Sequence, residues 1–348
     1  MLRVAHINLA KGFRGGERQT AILIEELSKL GYFQTLFYRD TSHRGIGEYL
    51  LSKKIPNLNL VSIFKPYFFH LSKLQNFDLL HSHEAKGNQL AYFANRLYKI
   101  PYLITRRVQF TPKKNFFNLA IYKNANSIVA LSTAIKRDLE KLDSSLSIET
   151  IPSAFYNSGN LQDEPLPIEI GDKKIVGHIG AVVDSHKGQC TILETAKLLQ
   201  DRKDIHFVLI GDGRDLERCK KESRELHNIS FLGYLDNPQR FISNFSIFVF
   251  PSHHEGLGST LLDVMVKGVP IIASNVGGIT DIIQDGQNGY LISAGDSREL
   301  KNRILNILSD EVVRKRFVQN SLAKVQNFSP QNMAEKYHLI YSRISEKG

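Results

Sequence analysis

Phe250-Pro251-Ser252-His253-His254-Glu255-Gly256-Leu257-Gly258-Ser259-Thr260-Leu261-Leu262-Asp263, followed by Lys267-Gly268-Val269-Pro270, reads as a buried strand, a polar loop and the opening turns of a helix. The loop delivers a carboxylate, Glu255. Gly256 and Gly258 let backbone come close to a ligand, and the helix start at Ser259 points its amides and the positive end of its dipole at an anion. That arrangement suits a nucleotide diphosphate. Asp263 lies eight residues after Glu255, about two helical turns, which predicts that both carboxylates face the same cleft.

The same alternation extends in both directions. Short runs of Val, Ile, Leu and Phe alternate with stretches of helical period, the pattern of a parallel sheet covered by helices on both faces. In the first half strands are predicted at Val4–Asn8, Thr35–Tyr38, Leu79–His81, Tyr102–Thr105 and Ser127–Leu131, with helices between them such as Glu17–Lys29 and Gly87–Leu97. The pattern pauses at Pro152-Ser153-Ala154 and in the polar, proline-containing segment Asn157–Pro167. It restarts with strands at Lys174–Gly180, His206–Ile210, Ile229–Leu232, Ile247–Phe250 and Pro270–Ala273. Helices are predicted at Gly188–Gln200, Asp215–Arg224 and Ser259–Val266, and from Ser297 onward the chain reads as helical. The expected fold class is α/β, with two doubly wound Rossmann-like domains facing each other across a cleft. Their boundaries are an N-terminal domain over 1–156, a linker over 157–172, a C-terminal domain over 173–329, and a helix over 330–348 crossing back to the first domain. Such domains bind ligands where loops and helix N-termini meet at the carboxyl ends of the strands.

Composition narrows the function. At 348 residues and 42% hydrophobic content the chain buries a full core and exceeds one typical domain. No apolar run approaches the roughly 20 residues of a membrane-spanning helix, and Met1–Asn8 reads as a strand rather than a signal peptide, so a cytoplasmic location is expected. Two cysteines, Cys190 and Cys219, with no Cys/His cluster in sequence, support neither a disulfide framework nor a zinc site. The net charge of +10 sits almost wholly in the first half. Residues 1–150 carry 22 Lys and Arg against 11 Asp and Glu, whereas residues 151–348 carry 23 against 24. A basic surface attracts phosphorylated substrates, anionic lipid or nucleic acid alike, and no nucleic-acid recognition module accompanies this one.

The Glu255 stretch resembles the GT-B glycosyltransferases, in particular the retaining family 4 (glycosyl transferases group 1), whose hallmark is a glutamate, seven residues and a second glutamate. The resemblance implies that Glu255 contacts the donor sugar, that Gly256, Leu257, Gly258 and Ser259 form the phosphate-binding helix start, and that the second position, here Asp263, binds the ribose hydroxyls. It extends to Gly12-Phe13-Arg14-Gly15-Gly16-Glu17-Arg18, similar to the glycine-rich loop near donor phosphates and acceptor. It also covers Ile179-Gly180-Ala181-Val182-Val183-Asp184-Ser185-His186-Lys187-Gly188, where the family has an arginine and a lysine on the diphosphate. This chain keeps Lys187 but has Ala181 at the arginine position. Leu209-Ile210-Gly211-Asp212-Gly213 and Phe231-Leu232-Gly233-Tyr234 resemble a cleft turn and the base-contacting loop, which makes Gly211, Gly233 and Tyr234 donor-binding candidates with Gly15, Gly16 and Gly180.

On the acceptor side, Asp78-Leu79-Leu80-His81-Ser82-His83-Glu84 resembles the family's strand ending in histidines. The next strand ends Ile104-Thr105-Arg106-Arg107, where the family often has a functional histidine. An arginine cannot act as a general base, but its planar fork holds phosphate or carboxylate. Arg106 and Arg107 are therefore expected at an anionic acceptor or at the donor phosphate, with Arg14 on the acceptor side by resemblance. His81 and His83 are expected either at the acceptor, as the resemblance implies, or equally as satisfied structural histidines. Aromatic clusters interleaved with lysine, Phe64-Lys65-Pro66-Tyr67-Phe68-Phe69 and Phe110-Thr111-Pro112-Lys113-Lys114-Asn115-Phe116-Phe117, suit a membrane interface, although core packing explains each single phenylalanine as well.

The expectation is a sugar transfer from a nucleotide diphosphate sugar to a hydroxyl of a cell-surface glycan or lipid-linked acceptor, as in lipopolysaccharide or polysaccharide synthesis. By resemblance the anomeric configuration is retained. Glu255 and Lys187 are the catalytic candidates, with Lys187 and the helix start neutralising the departing diphosphate. No cofactor is expected, nor a metal, since no Asp-x-Asp sequence is present to hold a divalent ion. Peripheral contact with anionic membrane through the first domain, on its cytoplasmic face, is expected as well. A GT-B epimerase working on the nucleotide sugar itself, and a non-catalytic sugar-nucleotide or glycan-binding protein, are the rival readings.

Overall fold

The computed structural model describes residues 2–39, 45–156 and 162–346. It divides into two compact units, Met1–Ala154 with Phe328–Gly348, and Phe155–Asn327. Residues 157–161 of the predicted linker over 157–172 lie outside the described residues.

Unit 1 is a parallel seven-stranded sheet built from β1 (Arg3–Asn8), β2 (Phe33–Arg39), β3 (Leu58–Ile63), β4 (Leu79–Ser82), β5 (Tyr102–Arg106), β6 (Ser127–Ala130) and β7 (Ile148–Thr150) in the order β3-β2-β1-β4-β5-β6-β7. Strand β1 is buried from Val4 onward and β4 throughout because helices cover both faces, although each carries buried polar residues, His6 and Asn8 in β1 and His81 and Ser82 in β4. The covering helices are α1 (Gly15–Lys29), α2 (Ile46–Lys53), α3 (Ala85–Tyr98), α4 (Phe116–Lys123) and α5 (Thr133–Leu142). Helix starts follow ordinary capping chemistry: the Glu84 carboxylate accepts from the Lys86 and Gly87 amides ahead of α3, and Ser132 accepts from Ile135 at α5. The order of strands reverses direction between β1 and β4, the switch point at which ligands collect in open α/β sheets.

The C-terminal helix, Pro330–Ser345, belongs to this unit. Ser329 caps it and Pro330 occupies its first turn. Tyr341 bonds His81 at 2.6 Å, Tyr337 bonds Thr105 at 2.9 Å, His338 bonds Tyr32 at 2.6 Å, and Arg343 grips both Glu149 oxygens at 2.7 and 2.8 Å. Gln19 closes the other end of the unit, accepting from the Ala154 amide and donating to its carbonyl.

Unit 2 is a parallel six-stranded sheet of β8 (Lys174–Ile179), β9 (Ile205–Ile210), β10 (Ile229–Gly233), β11 (Ile247–Phe250), β12 (Ile271–Ser274) and β13 (Tyr290–Ile292) in the order β10-β9-β8-β11-β12-β13, with its switch point between β8 and β11. Its helices are α6 (Asp184–Lys187), α7 (Gln189–Leu198), α8 (Leu216–Glu222), α9 (Ser259–Val266), α10 (Ile279–Ile282), α11 (Ser297–Ser309) and α12 (Glu311–Val325). Val176, Phe207, Val249 and Ile272 from the sheet pack with Ile192, Leu300, Ile304 and Phe317 from the helices into one core. The sequence reading did not anticipate β3, β7 and β13. Strands β7 and β13 have three residues each, too few for a period to show, and β3 is a half-exposed edge whose side chains do not form a buried run.

Candidate functional site

In unit 2 two loops leave the sheet at its switch point, one after β8 and one after β11. They are stitched together by backbone: the His186 carbonyl accepts from the His253 amide at 2.9 Å and from the His254 amide at 3.3 Å. Gly188 and Gly211 let the loops approach this closely. A Cβ on Gly188 would lie 2.1 Å from the Pro251 carbonyl oxygen, and one on Gly211, at φ +144°, would lie 1.8 Å from that of Gly180. The stitching places Lys187 beside Glu255, with Nζ 2.5 Å from Oε2 and the ammonium 5.0 Å from the centre of the Phe250 ring. The pair is partly open to solvent, with Lys187 23% and Glu255 16% exposed. Just beyond it α9 begins behind Gly258, which supplies no side-chain cap, so its first amides remain available to an anion.

Beneath the pair lies His178, buried in β8 and driven down to about pKa 4 by burial, against the opposing effect of the Val249 carbonyl. Its Nδ1 donates to that carbonyl at 2.9 Å, which leaves Nε2 to accept from Gln189, whose amide nitrogen also reaches the Ala181 carbonyl. The imidazole is therefore a neutral support for the loop after β8.

In unit 1 the switch point gathers three histidines. His6 of β1 and His81 of β4 stand side by side in the sheet, and His83 follows at the end of β4. Burial pushes His6 down to about pKa 4 and holds His81 and His83 well below the usual histidine range, with the Arg107 charge acting in the same direction. Their ligand atoms lie within 4.8 Å of one another, a spacing compatible with a metal. The ring nitrogens are already partnered: His6 with His83 and Gln34, His81 with Tyr341 and Thr105, His83 with His6 and Arg107. A guanidinium 3.1 Å from His83 also opposes a cation there. The three rings form a hydrogen-bonded polar core.

The two halves of the chain match two family models. Residues 13–154 match the model described as Glycosyltransferase Family 4, and residues 164–324 match the one described as Glycosyl transferases group 1. The fold is that of Alr3699/HepE from Anabaena, solved with UDP and glucose (TM-score 0.85, 17% identity, 99% of this chain and 100% of that one), and of sucrose-phosphate synthase from Thermosynechococcus elongatus (TM-score 0.80, 18% identity, 100% of both chains). This chain belongs to the GT-B glycosyltransferases of group 1. Among its relatives are LpsE of Rhizobium meliloti, a lipopolysaccharide core biosynthesis glycosyltransferase 24% identical over 97% of this chain and 98% of that one, and CapM of Staphylococcus aureus. CapM is a capsular polysaccharide biosynthesis glycosyltransferase, 24% identical over 63% of this chain and 62% of its own length.

Within this glycosyltransferase the site residues expected from sequence fall into distinct groups. Lys187, Glu255, Gly256, Gly258 and Ser259 gather at the unit 2 switch point with Gly180, while the Leu257 side chain is buried. Gly211, which follows β9, lies against the Gly180 carbonyl of the loop after β8, and its amide bonds the carbonyl of Gly233 at the end of β10 at 2.7 Å. Tyr234, next in the chain, is an exposed ring. Asp263 is placed differently from the expectation: it is buried, with Oδ1 accepting from the Tyr156 amide at 2.8 Å and Oδ2 from Gln239 at 3.3 Å. The helix starts only at Ser259, so the direction of Asp263 is set by its four-residue offset from that start.

In unit 1 the expectation for His81 and Arg106 needs correction. His81 is fully buried and spends both ring nitrogens under the C-terminal helix, so it presents nothing to an acceptor. Arg106 donates to the Phe110 carbonyl at 2.8 Å and bonds Tyr122, holding the loop after β5. Arg107 instead turns toward His83 and Thr20, against Gly16 of the α1 start, with Gly15 and the exposed Arg14 alongside. The sequence reading missed His6, Gln34, Thr20 and His178. Each is an ordinary strand or helix residue in sequence, and only the strand order brings it to a switch point.

The aromatic clusters of unit 1 are largely outside the core. Phe64, Phe68, Phe69, Phe93, Phe110 and Phe116 are exposed, Phe116 to 89%. Phe93 of α3 and Phe117 of α4 are in ring contact at 5.8 Å, and Lys65, Lys113 and Lys114 stand exposed among these rings. No helix among the described residues is long and apolar enough to cross a membrane.

Proposed function

We propose that this glycosyltransferase moves a sugar from a nucleotide diphosphate sugar to a hydroxyl of a cell-surface glycan or lipid-linked acceptor, with retention at the anomeric carbon. The observation that carries the reading is the Lys187–Glu255 pair set against the uncapped start of α9 at the switch point of unit 2. A cation and a helix N-terminus together are suited to a diphosphate, and a carboxylate beside them is suited to sugar hydroxyls. In the reaction the acceptor oxygen bonds the anomeric carbon as the bond from that carbon to the β-phosphate oxygen breaks. The electron pair of that bond stays on the diphosphate, which takes the acceptor proton. Lys187 and the α9 amides stabilise the charge that develops there, a task that needs no divalent ion, in keeping with the lack of an Asp-x-Asp sequence. Alr3699/HepE was solved with UDP and glucose, and a mutant of Staphylococcus aureus TarM with UDP, fondaparinux and alpha-GlcNAc-glycerol, which supports a nucleotide-sugar donor here.

The exposed rings and lysines of unit 1 support a peripheral seat on anionic lipid, where aromatic faces lie at headgroup level and each lysine near the surface contributes about 1 kcal/mol. A cytoplasmic enzyme seated in this way reaches a lipid-linked acceptor. The test is incubation of the full chain with UDP-, GDP- and ADP-sugars and a bacterial lipid extract. Donor-dependent label in the lipid fraction, lost in Glu255→Gln, is the expected result. Epimerised nucleotide sugar formed without any acceptor would overturn the transfer reading.

A further inference from the structure

We propose that Arg107 is the oxyanion-binding residue of unit 1, held in place by a directed hydrogen-bond chain through His83 and His6 to Gln34, and that it takes a phosphate or carboxylate group of a substrate. The inference deepens the transfer reading and rests on it only for the word substrate.

The direction of the chain follows from elementary donor chemistry. A guanidinium only donates, so Nδ1 of His83, 3.1 Å from Arg107, accepts. Neutral His83 then carries its proton on Nε2 and donates to His6 Nδ1 at 3.0 Å. His6 in turn carries its proton on Nε2 and donates to the Gln34 carbonyl oxygen at 3.0 Å, and the Gln34 amide ends the chain on the Ile24 carbonyl at 2.9 Å. Each donor in this series meets an acceptor. The cost of burying His6, Gln34 and His83 is thereby met with one orientation of the guanidinium fixed at the far end.

Arg107 itself is left with charge to spare. Both of its hydrogen bonds run from Nη2, to His83 and, at 3.4 Å, to Thr20, whose hydroxyl is shared with Asn8 and the Gly16 carbonyl. Its Nε is buried without a partner, and among the described residues no carboxylate lies within ion-pair distance of it. Glu17, the acid whose charge it feels, is occupied in capping the Arg14 amide at 2.9 Å. A part-buried cation without a counter-charge is costly, and an anionic ligand would supply one. The start of α1 lies against it, with a Cβ on Gly16 only 3.5 Å from Arg107 Cδ, so a helix N-terminus, which favours anions, packs on the side chain that carries the guanidinium. Arg106, its sequence neighbour, also has a buried Nε without a partner, but its other bonds go to Phe110 and Tyr122, away from His83 and Thr20.

The experiment is calorimetric titration of the full chain with inorganic phosphate, in a Lys187→Ala background that disables the unit 2 anion site. Adding Arg107→Gln is expected to weaken phosphate at least about tenfold, the size of one or two charge-assisted hydrogen bonds. Arg106→Gln is expected to leave it unchanged, and Arg107→Lys, which keeps the charge without the fork, to fall between. His83→Phe should weaken phosphate in the same background while UDP binding to the otherwise wild-type chain persists, a split that general loss of structure would not produce. Phosphate affinity equal with and without Arg107→Gln in folded protein would overturn the proposal. The source of the anion is read in the wild-type chain saturated with UDP. If the Arg107-dependent phosphate binding survives, the residue serves an acceptor group; if UDP abolishes it, the residue serves the donor diphosphate. Failure of UDP to bind at all would remove the donor reading and leave the Arg107 comparison standing.

Discussion

Lys187 and Glu255 compensate one another in the ligand-free protein, and this governs what their removal does. Lys187→Ala takes away one cation aimed at the leaving group, and turnover is expected to fall about 10²–10³-fold with the fold intact, measured as initial rate against donor concentration. Lys187→Arg should restore part of it. Asp263 makes a different prediction from the one its sequence position suggests. Asp263→Ala strands the Tyr156 amide and Gln239, so denaturant unfolding should show a loss of about 1–3 kcal/mol. Unchanged stability together with lost donor affinity would instead return Asp263 to the ribose. At this scale the chain was legible where chemistry is local, as in the loop carrying Glu255 and its glycines. It was not legible where two distant strands meet: His6 became interpretable only once β1 lay beside β4.

The elements that carry the site owe their places to backbone contacts that side chains do not show. Gly211→Ala would push a Cβ into the Gly180 carbonyl, so the loops after β8 and β9 would have to part. An unfolding cost of at least about 2 kcal/mol is expected in a urea titration. The glycines here thus have a packing reason for being glycine, independent of any ligand. The C-terminal helix offers a milder test. Tyr341→Phe removes the 2.6 Å bond to buried His81 and should cost about 1 kcal/mol. Long helices and fully buried strands were readable from periodicity, since burial imposes it on many successive residues. The three-residue β7 and β13 and the edge strand β3 were not, because too few side chains are constrained.

Both units build their switch points around neutral buried imidazoles, and the whole molecule is therefore acid-sensitive. An unfolded histidine titrates near pH 6.5, whereas folded His6 and His178 hold out to about 4. Below pH 6.5 the unfolded chain takes up protons that the folded chain refuses. The contribution of these residues is thus complete above about pH 6.5 and is lost as pH falls toward 4, by about 3 kcal/mol for each. Urea midpoints should drop steeply across that window, and a flat profile would contradict the neutral state assigned to these buried imidazoles. The exposed face of unit 1 should hold the enzyme on phosphatidylglycerol vesicles, and Phe68→Ser with Phe116→Ser should release it at equal ionic strength in a sedimentation assay. The most direct test of the central claim, a nucleotide-sugar site at the start of α9, is a thermal-shift screen of UDP-, GDP- and ADP-sugars on the wild-type, Lys187→Ala and Glu255→Ala chains. One donor class should raise the wild-type midpoint and lose most of that effect in both variants. No shift with any donor, or a shift that both variants keep in full, would contradict it.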